Sequence, residues 1–149
     1  MQEAGALLGG EMTGHLFFRE GWFGFDDAIY AGARLLEILV QEKRSPAAVF
    51  ASLPDTIATP ELFLPMNEDH HQVFMSSLIE AAEFEGAERT LIDGLRVDYP
   101  DRWGLARPSN TSPSIVFRFE GDSEAALNQI KAEFHQLLLK VAPTLQIPF

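Results

Sequence analysis

Between residues 114 and 141 the spacing of apolar residues changes period, and no other feature restricts the architecture as much. In Ser114–Glu120, Ile115, Phe117 and Phe119 occupy every second position, as in a half-buried strand. Leu127, Ile130, Phe134, Leu137 and Val141 then step by 3, 4, 3 and 4, forming one face of a helix that Asp122-Ser123 caps and Pro143 ends. A one-sided strand followed by a one-sided helix must pack in two layers. The strand pattern recurs upstream, where Leu95, Val97 and Tyr99 alternate with Arg96 and Asp98 inside 91–99. Two further strands are predicted over 61–66 and 103–107. A helix over about 70–84 carries Phe74, Leu78 and Ala81 on one side and is opened by Asn67-Glu68-Asp69. The order strand–helix–strand–strand–strand–helix predicts an α+β fold for 59–149, a four-stranded antiparallel sheet with both helices on one face.

The first part of the chain reads differently. Gly5, Gly9, Gly10, Gly14, Gly21 and Gly24 lie among Phe17, Phe18, Trp22, Phe23 and Phe25, a density that suggests turns and close backbone approach. A short strand is expected near 16–19, then a helix over 26–42 with Asp26 and Asp27 in its first turn and Ile29, Leu36, Leu39 and Val40 on its apolar face. Ser45-Pro46 opens a short helix that Pro54 stops. Thr56–Thr59 is expected to be a connector, so the boundary is placed there, dividing the chain into 1–58, a partial α/β segment, and 59–149.

Charge and composition exclude several classes. The 149 residues include 11 Lys+Arg against 22 Asp+Glu and no cysteine. A net charge of −11 argues against nucleic acid as a partner, because phosphate-backbone binders need a basic face. The same charge permits one local anion pocket. Without cysteine there is no thiolate metal site or cysteine nucleophile. No apolar run approaches a membrane span, and Met1–Gly10 lacks the basic start and apolar stretch of a signal peptide, so no membrane partner and a cytoplasmic location are expected. The chain reads as beginning in the middle of something.

Three groups of residues carry candidate chemistry. Glu11, Thr13 and His15 alternate on a loop bracketed by glycines, so an extended backbone brings them to one side. A carboxylate, a hydroxyl and an imidazole suit sugar hydroxyls and proton exchange near neutral pH, and equally suit a tight turn whose side chains satisfy nearby backbone. Arg107-Pro108-Ser109-Asn110-Thr111-Ser112-Pro113 joins two predicted strands. Its guanidinium offers a bidentate fork, and its small residues leave N–H groups for an anion nest; an ordinary Asn/Ser-rich turn has the same composition. Glu68-Asp69-His70-His71 invites a metal site, but adjacent helical residues point about 100° apart, and a solvated helix start is the favoured reading. Trp22, Phe23 and Phe25 read as core or interface.

Taken together, Gly10-Glu11-Met12-Thr13-Gly14-His15 followed by Trp22-Phe23-Gly24-Phe25-Asp26-Asp27 resembles the sugar-recognition loop of the α-D-phosphohexomutase superfamily, whose bacterial phosphomannomutase/phosphoglucomutase branch usually reads GEMSGH. Asp93-Gly94-Leu95-Arg96-Val97-Asp98-Tyr99 and then Arg107-Pro108-Ser109-Asn110-Thr111 resemble the same family's fourth domain, whose phosphate loop typically reads RASNT. The resemblance covers nearly the whole chain in the family's order. It implies that 1–58 is the end of the third domain and that 59–149 is the fourth, of TATA-box-binding-protein-like fold. It implies an isomerase that moves a phosphoryl group between an active-site phosphoserine and the sugar, through a hexose 1,6-bisphosphate. Glu11 and Thr13 would bind sugar hydroxyls, and His15 would assist proton transfer. Arg107, Ser109, Asn110 and Thr111 would grip the phosphate of a hexose phosphate.

The departures from that pattern are definite. Thr13 keeps the hydroxyl of the usual Ser, whereas Pro108 removes an N–H from the phosphate loop. Nothing here resembles the family's TASHNP-like phosphoserine segment or its DGDxDR-like Mg²⁺ loop. The expectation is a C-terminal piece of the enzyme, inactive alone, with Mg²⁺ held by the missing N-terminal domains and none here. The alternatives are a stand-alone sugar-phosphate-binding module and a purely structural piece. Without a sheet to pack on, Leu16, Phe17, Trp22, Phe23 and the 26–42 helix are expected to expose apolar surface, so self-association through 1–55 is expected too.

Overall fold

Two segments of unlike composition fold as two units, Met1–Pro54 and Asp55–Phe149. The structure is a computed structural model and describes residues 1, 4–11, 13–109 and 111–149.

In the first unit, β1 (Leu8–Gly10) and β2 (Leu16–Phe18) form an antiparallel hairpin in which Leu8 faces Phe18 and Gly10 faces Leu16. This corrects the expected lone strand of an α/β segment. Leu8-Gly9-Gly10 carries too few side chains to show an alternation, so β1 was invisible in the pattern. Helix α1 (Ala28–Glu42) starts where the extended Asp27 accepts hydrogen bonds from the N–H groups of Ile29 and Tyr30, both at 3.0 Å. It ends at Lys43, whose φ of 54° takes the left-handed conformation usual after a helix. Helix α2 (Pro46–Phe50) has Pro46 in its first turn and Ser45 as its cap. Trp22 stacks on Tyr30 with ring centres 4.4 Å apart, and Phe18 meets the same ring edge-on at 5.3 Å. Leu16, Phe17 and Trp22 are therefore half-buried, not exposed as expected. Phe23 and Ile29 do stand in solvent, at 81% and 88% exposure, and no residue of α1 is buried.

The second unit runs β3 (Ile57–Ala58), β4 (Leu62–Pro65), α3 (Glu68–Ala81), β5 (Glu88–Thr90), β6 (Leu95–Tyr99), β7 (Arg102–Pro108), β8 (Ser114–Gly121) and α4 (Glu124–Val141). Strands β6, β7 and β8 form an antiparallel meander; β3 and β4 both pair with β8, and β5 extends the sheet beyond β6. The four expected strands thus become six. Glu88-Arg89-Thr90 has no apolar alternation to announce it, and the expected connector at 56–59 contains β3. Inward residues of the sheet (Leu95, Val97, Ala106, Phe117, Phe119) are fully buried against Leu78 of α3 and Ile130, Phe134 and Leu138 of α4. At Gly104 of β7, an added methyl would sit 2.6 Å from the Phe134 ring, so the absence of a side chain sets how closely α4 approaches the sheet.

The acidic start of α3 is not uniformly solvated. His70 is exposed, but His71 is only 7% exposed and its Nε2 donates to the Met66 carbonyl at 2.9 Å. Among the described residues no three His, Asp or Glu side chains are grouped so as to hold a metal ion.

Candidate functional site

The first loop is built by the hairpin. The Glu11 N–H donates to the His15 carbonyl at 2.9 Å, and the Gly14 N–H donates to Glu11 O at 3.0 Å. Gly14 has a φ of 89°, which lets five residues reverse the chain. Thr13 Oγ1 donates to Glu11 Oε2 at 3.2 Å, so the carboxylate and hydroxyl meet through the turn rather than through an extended backbone. Met12 lies outside the described residues.

His15 has a partner that the sequence reading assigned to the helix start. Its Nδ1–H donates to Asp26 Oδ2 at 2.6 Å, and Asp26 Oδ1 accepts the Leu16 N–H at 3.2 Å. Asp26 sits in a β-bridge with Phe17, one residue before the cap of α1. The hydrogen bond to Asp26, followed by the charge of Asp26, raises the His15 pKa above 6.5. The same bond holds the Asp26 carboxyl below 3.8. With Nδ1 committed to the carboxylate, Nε2 is the nitrogen left to exchange a proton with a ligand.

The second loop joins β7 to β8. Ser109 N–H donates to Ser114 O at 2.9 Å and closes it. Two of the amides expected to form a nest are not free: those of Thr111 and Ser112 turn inward and donate to Ser109 Oγ at 3.3 and 3.2 Å. A serine at the head of such a turn captures the donors that an anion would otherwise take. Asn110 lies outside the described residues. What the loop offers is hydroxyls, together with Arg107, whose guanidinium is half-exposed and only loosely held, 3.8 Å from Glu61 Oε1. A cavity of about 380 Å³ lies beside the loop, lined by Gln72 and Ser76 of α3 and by Asp93, Gly94, Arg107 and Pro108. The expected Pro108 is accommodated as the last residue of β7, opposite Ile115.

The first unit thus carries a hairpin loop with a carboxylate, a hydroxyl and an imidazole, and the second, separately, a hydroxyl-rich loop flanked by arginine. The chain belongs to the phosphoglucomutase/phosphomannomutase family: residues 1–57 match its alpha/beta/alpha domain III and residues 68–137 its C-terminal domain. It is 49% identical over 149 residues to a phosphomannomutase/phosphoglucomutase of Pseudomonas syringae pv. tomato, covering 100% of this chain and 32% of that relative. It is 52% identical over 141 residues to a phosphoglucomutase of Neisseria meningitidis serogroup A, covering 93% of this chain and 30% of the relative. A crystal structure of a phosphoglucomutase/phosphomannomutase family protein from Burkholderia thailandensis superposes with a TM-score of 0.88 at 48% identity, covering 99% of this chain and 31% of that one. The chain therefore spans about a third of the length of the relatives it matches.

Proposed function

We propose that this chain forms the sugar-hydroxyl and phosphate contacts of a phosphohexomutase that interconverts hexose 1-phosphate and hexose 6-phosphate in the cytoplasm. Residues 1–58 are assigned to the end of the third domain and 59–149 to the fourth. The observation that carries the reading is that a hairpin loop bearing Glu11, Thr13 and His15 is followed along the chain by an arginine-and-serine loop, in the order the family uses. In this reading Glu11 and Thr13 hold sugar hydroxyls, while Arg107, Ser109, Asn110 and Thr111 hold the phosphate that is not transferred. The reacting phosphoryl group comes from a phosphoserine contributed by the rest of the enzyme. As its P–O bond to serine breaks and a bond to the sugar oxygen forms, the sugar hydroxyl gives its proton to His15 Nε2. Fixing both ends of the sugar supplies the positioning on which phosphoryl transfer largely depends. Mg²⁺ would neutralise charge on the transferring group; the described residues do not gather ligands for it, and no step here passes through it. A hexose 1,6-bisphosphate is the intermediate that turns over between the half-reactions.

Titrating the ¹⁵N-labelled chain with mannose 6-phosphate tests the anchor. Saturable shifts are expected at the amides of Arg107, Ser109, Thr111 and Ser112. Arg107→Ala is expected to weaken them by tenfold or more, since hydrogen bonds to a charged group contribute about 1.5–3 kcal/mol. Saturation that is unaffected by that change would refute the assignment.

A further inference from the structure

Beyond Ser109, the loop contains a chain of hydroxyls that the phosphate contacts do not include. Ser112 Oγ donates to Ser109 Oγ at 2.9 Å, and Ser112 Oγ lies 2.7 Å from Ser114 Oγ. Ser114 opens β8 and is only 5% exposed. Each hydroxyl has one proton and two acceptor sites. Because Ser112 spends its proton on Ser109, the short contact to Ser114 requires Ser114 to be the donor. Ser109 Oγ thus receives the Ser112 hydroxyl and the amides of Thr111 and Ser112. Three donors crowd two lone pairs, so two of them share one and no acceptor site on the oxygen is left free. What Ser109 retains is its own proton, and among the described residues Thr111 Oγ1, at 3.5 Å, is its one resting partner.

We infer that Ser114 and Ser112 form a hydroxyl relay that fixes Ser109 as a donor, so that a phosphate oxygen arriving at the loop meets a preset O–H. This inference rests on the phosphate-anchor reading. Ser112 and Ser114 are positioning residues: they act through Ser109 and need not touch the ligand. The direction of the relay has a chemical consequence. A dianionic phosphate only accepts hydrogen bonds, and a chain of aligned hydroxyls polarises its last member toward donation. A serine free to rotate would instead give up part of its binding free energy on being ordered.

The test compares mannose 6-phosphate affinity in the chain itself with that of Ser112→Ala, Ser114→Ala and Ser112→Thr, following the Arg107 and Ser109 amides by NMR. Ser112→Ala and Ser114→Ala are each expected to weaken binding by about two- to tenfold, the value of one neutral hydrogen bond. Ser112→Thr keeps the hydroxyl and is expected to restore wild-type affinity. Unchanged β6 and β7 amide shifts in the variants would show that the sheet is intact. Wild-type affinity in both alanine variants would overturn the relay and leave the anchor standing. Absence of saturable shifts in the unmodified chain would overturn the anchor and the relay with it.

Discussion

Gly94 lies against the backbone of β7 at Arg107, the residue proposed to hold phosphate, and replacing it perturbs both the fold and that position. Its φ is 146°, and an added Cβ would fall within contact range of the Ala106 carbonyl oxygen, 2.9 Å from Arg107 Cα and 3.0 Å from Arg107 Cβ. These are mostly backbone atoms of β7, which cannot swing aside as the end of a flexible side chain can. Two costs follow for Gly94→Ala. A residue with a side chain at such a φ costs about 1–3 kcal/mol, and a methyl forced into a packed gap costs about 1–3 kcal/mol more. Restricting the unfolded chain returns only about 0.4–1 kcal/mol. The expected net loss is about 3 kcal/mol, which in a unit of this size lowers Tm by roughly 12–24 °C. Gly86 is the internal control. Its φ of 77° is also left-handed, but nothing lies within 4 Å of its added Cβ, so Gly86→Ala should lose only about 1 kcal/mol. Urea unfolding followed by far-UV circular dichroism measures both. Because the clash displaces β7 at Arg107, Gly94→Ala alone should also shift the Arg107 amide and weaken mannose 6-phosphate binding. Equal losses in the two variants would show that the backbone contact at Gly94 contributes nothing and that the argument from close approach is wrong.

Two other predictions concern the first unit. Asp26→Asn should bring the His15 pKa down toward 6.5, read from the ring-proton shifts of His15 across pH; an unchanged midpoint would remove Asp26 from the proposed proton-transfer pair. The signs are opposite for the two partners: the raised His15 favours the folded state at pH below 6.5 and loses that effect as pH rises through its folded value. The lowered Asp26 favours the folded state above 3.8 and loses that effect as pH falls through its own. The exposed stripe of Ile29, Leu36 and Val40 on α1 predicts association of the chain with a second copy at high concentration, and Ile29→Lys with Val40→Lys should abolish it in sedimentation velocity. A monomer at every concentration in the unmodified chain would refute this.

Elements of the fold were legible where burial is one-sided and the element is long enough to repeat. The 3, 4, 3, 4 stepping of Leu127 to Val141 marks α4, whose Leu127, Ile130, Phe134 and Leu137 are all buried. Ile115, Phe117 and Phe119 mark the inner face of β8. The strands that escaped notice have two or three residues each: β1 is two-thirds glycine, β5 is polar throughout, and β3 falls in a stretch without alternation. Gly104 reads as a weakness in a strand until α4 is known to lie on it.

The site divides in the same way, with local relations legible and relations made by folding hidden. Thr13 and Glu11 meet because the turn closed by the Gly14 N–H on Glu11 O folds Thr13 back toward Glu11, a local relation that needs no tertiary structure. Asp26 and Asp27 look interchangeable in the sequence, two acids at a helix start. The backbone is extended there, so neighbouring side chains point opposite ways: Asp27 turns toward the helix and caps it, which leaves Asp26 on the other side, facing the hairpin and His15. One acid is therefore consumed by the helix and the other is available to the imidazole, a division set by a single peptide unit. The same logic decides between the two readings of the loop after β7 for the amides of Thr111 and Ser112. Small residues suit either free amides or an ordinary turn, and a serine followed two and three residues later by amide donors folds onto them as a turn. The proposed anion site is then one of hydroxyl donors beside a guanidinium, whose affinity would depend on how those hydroxyls are oriented as well as on charge.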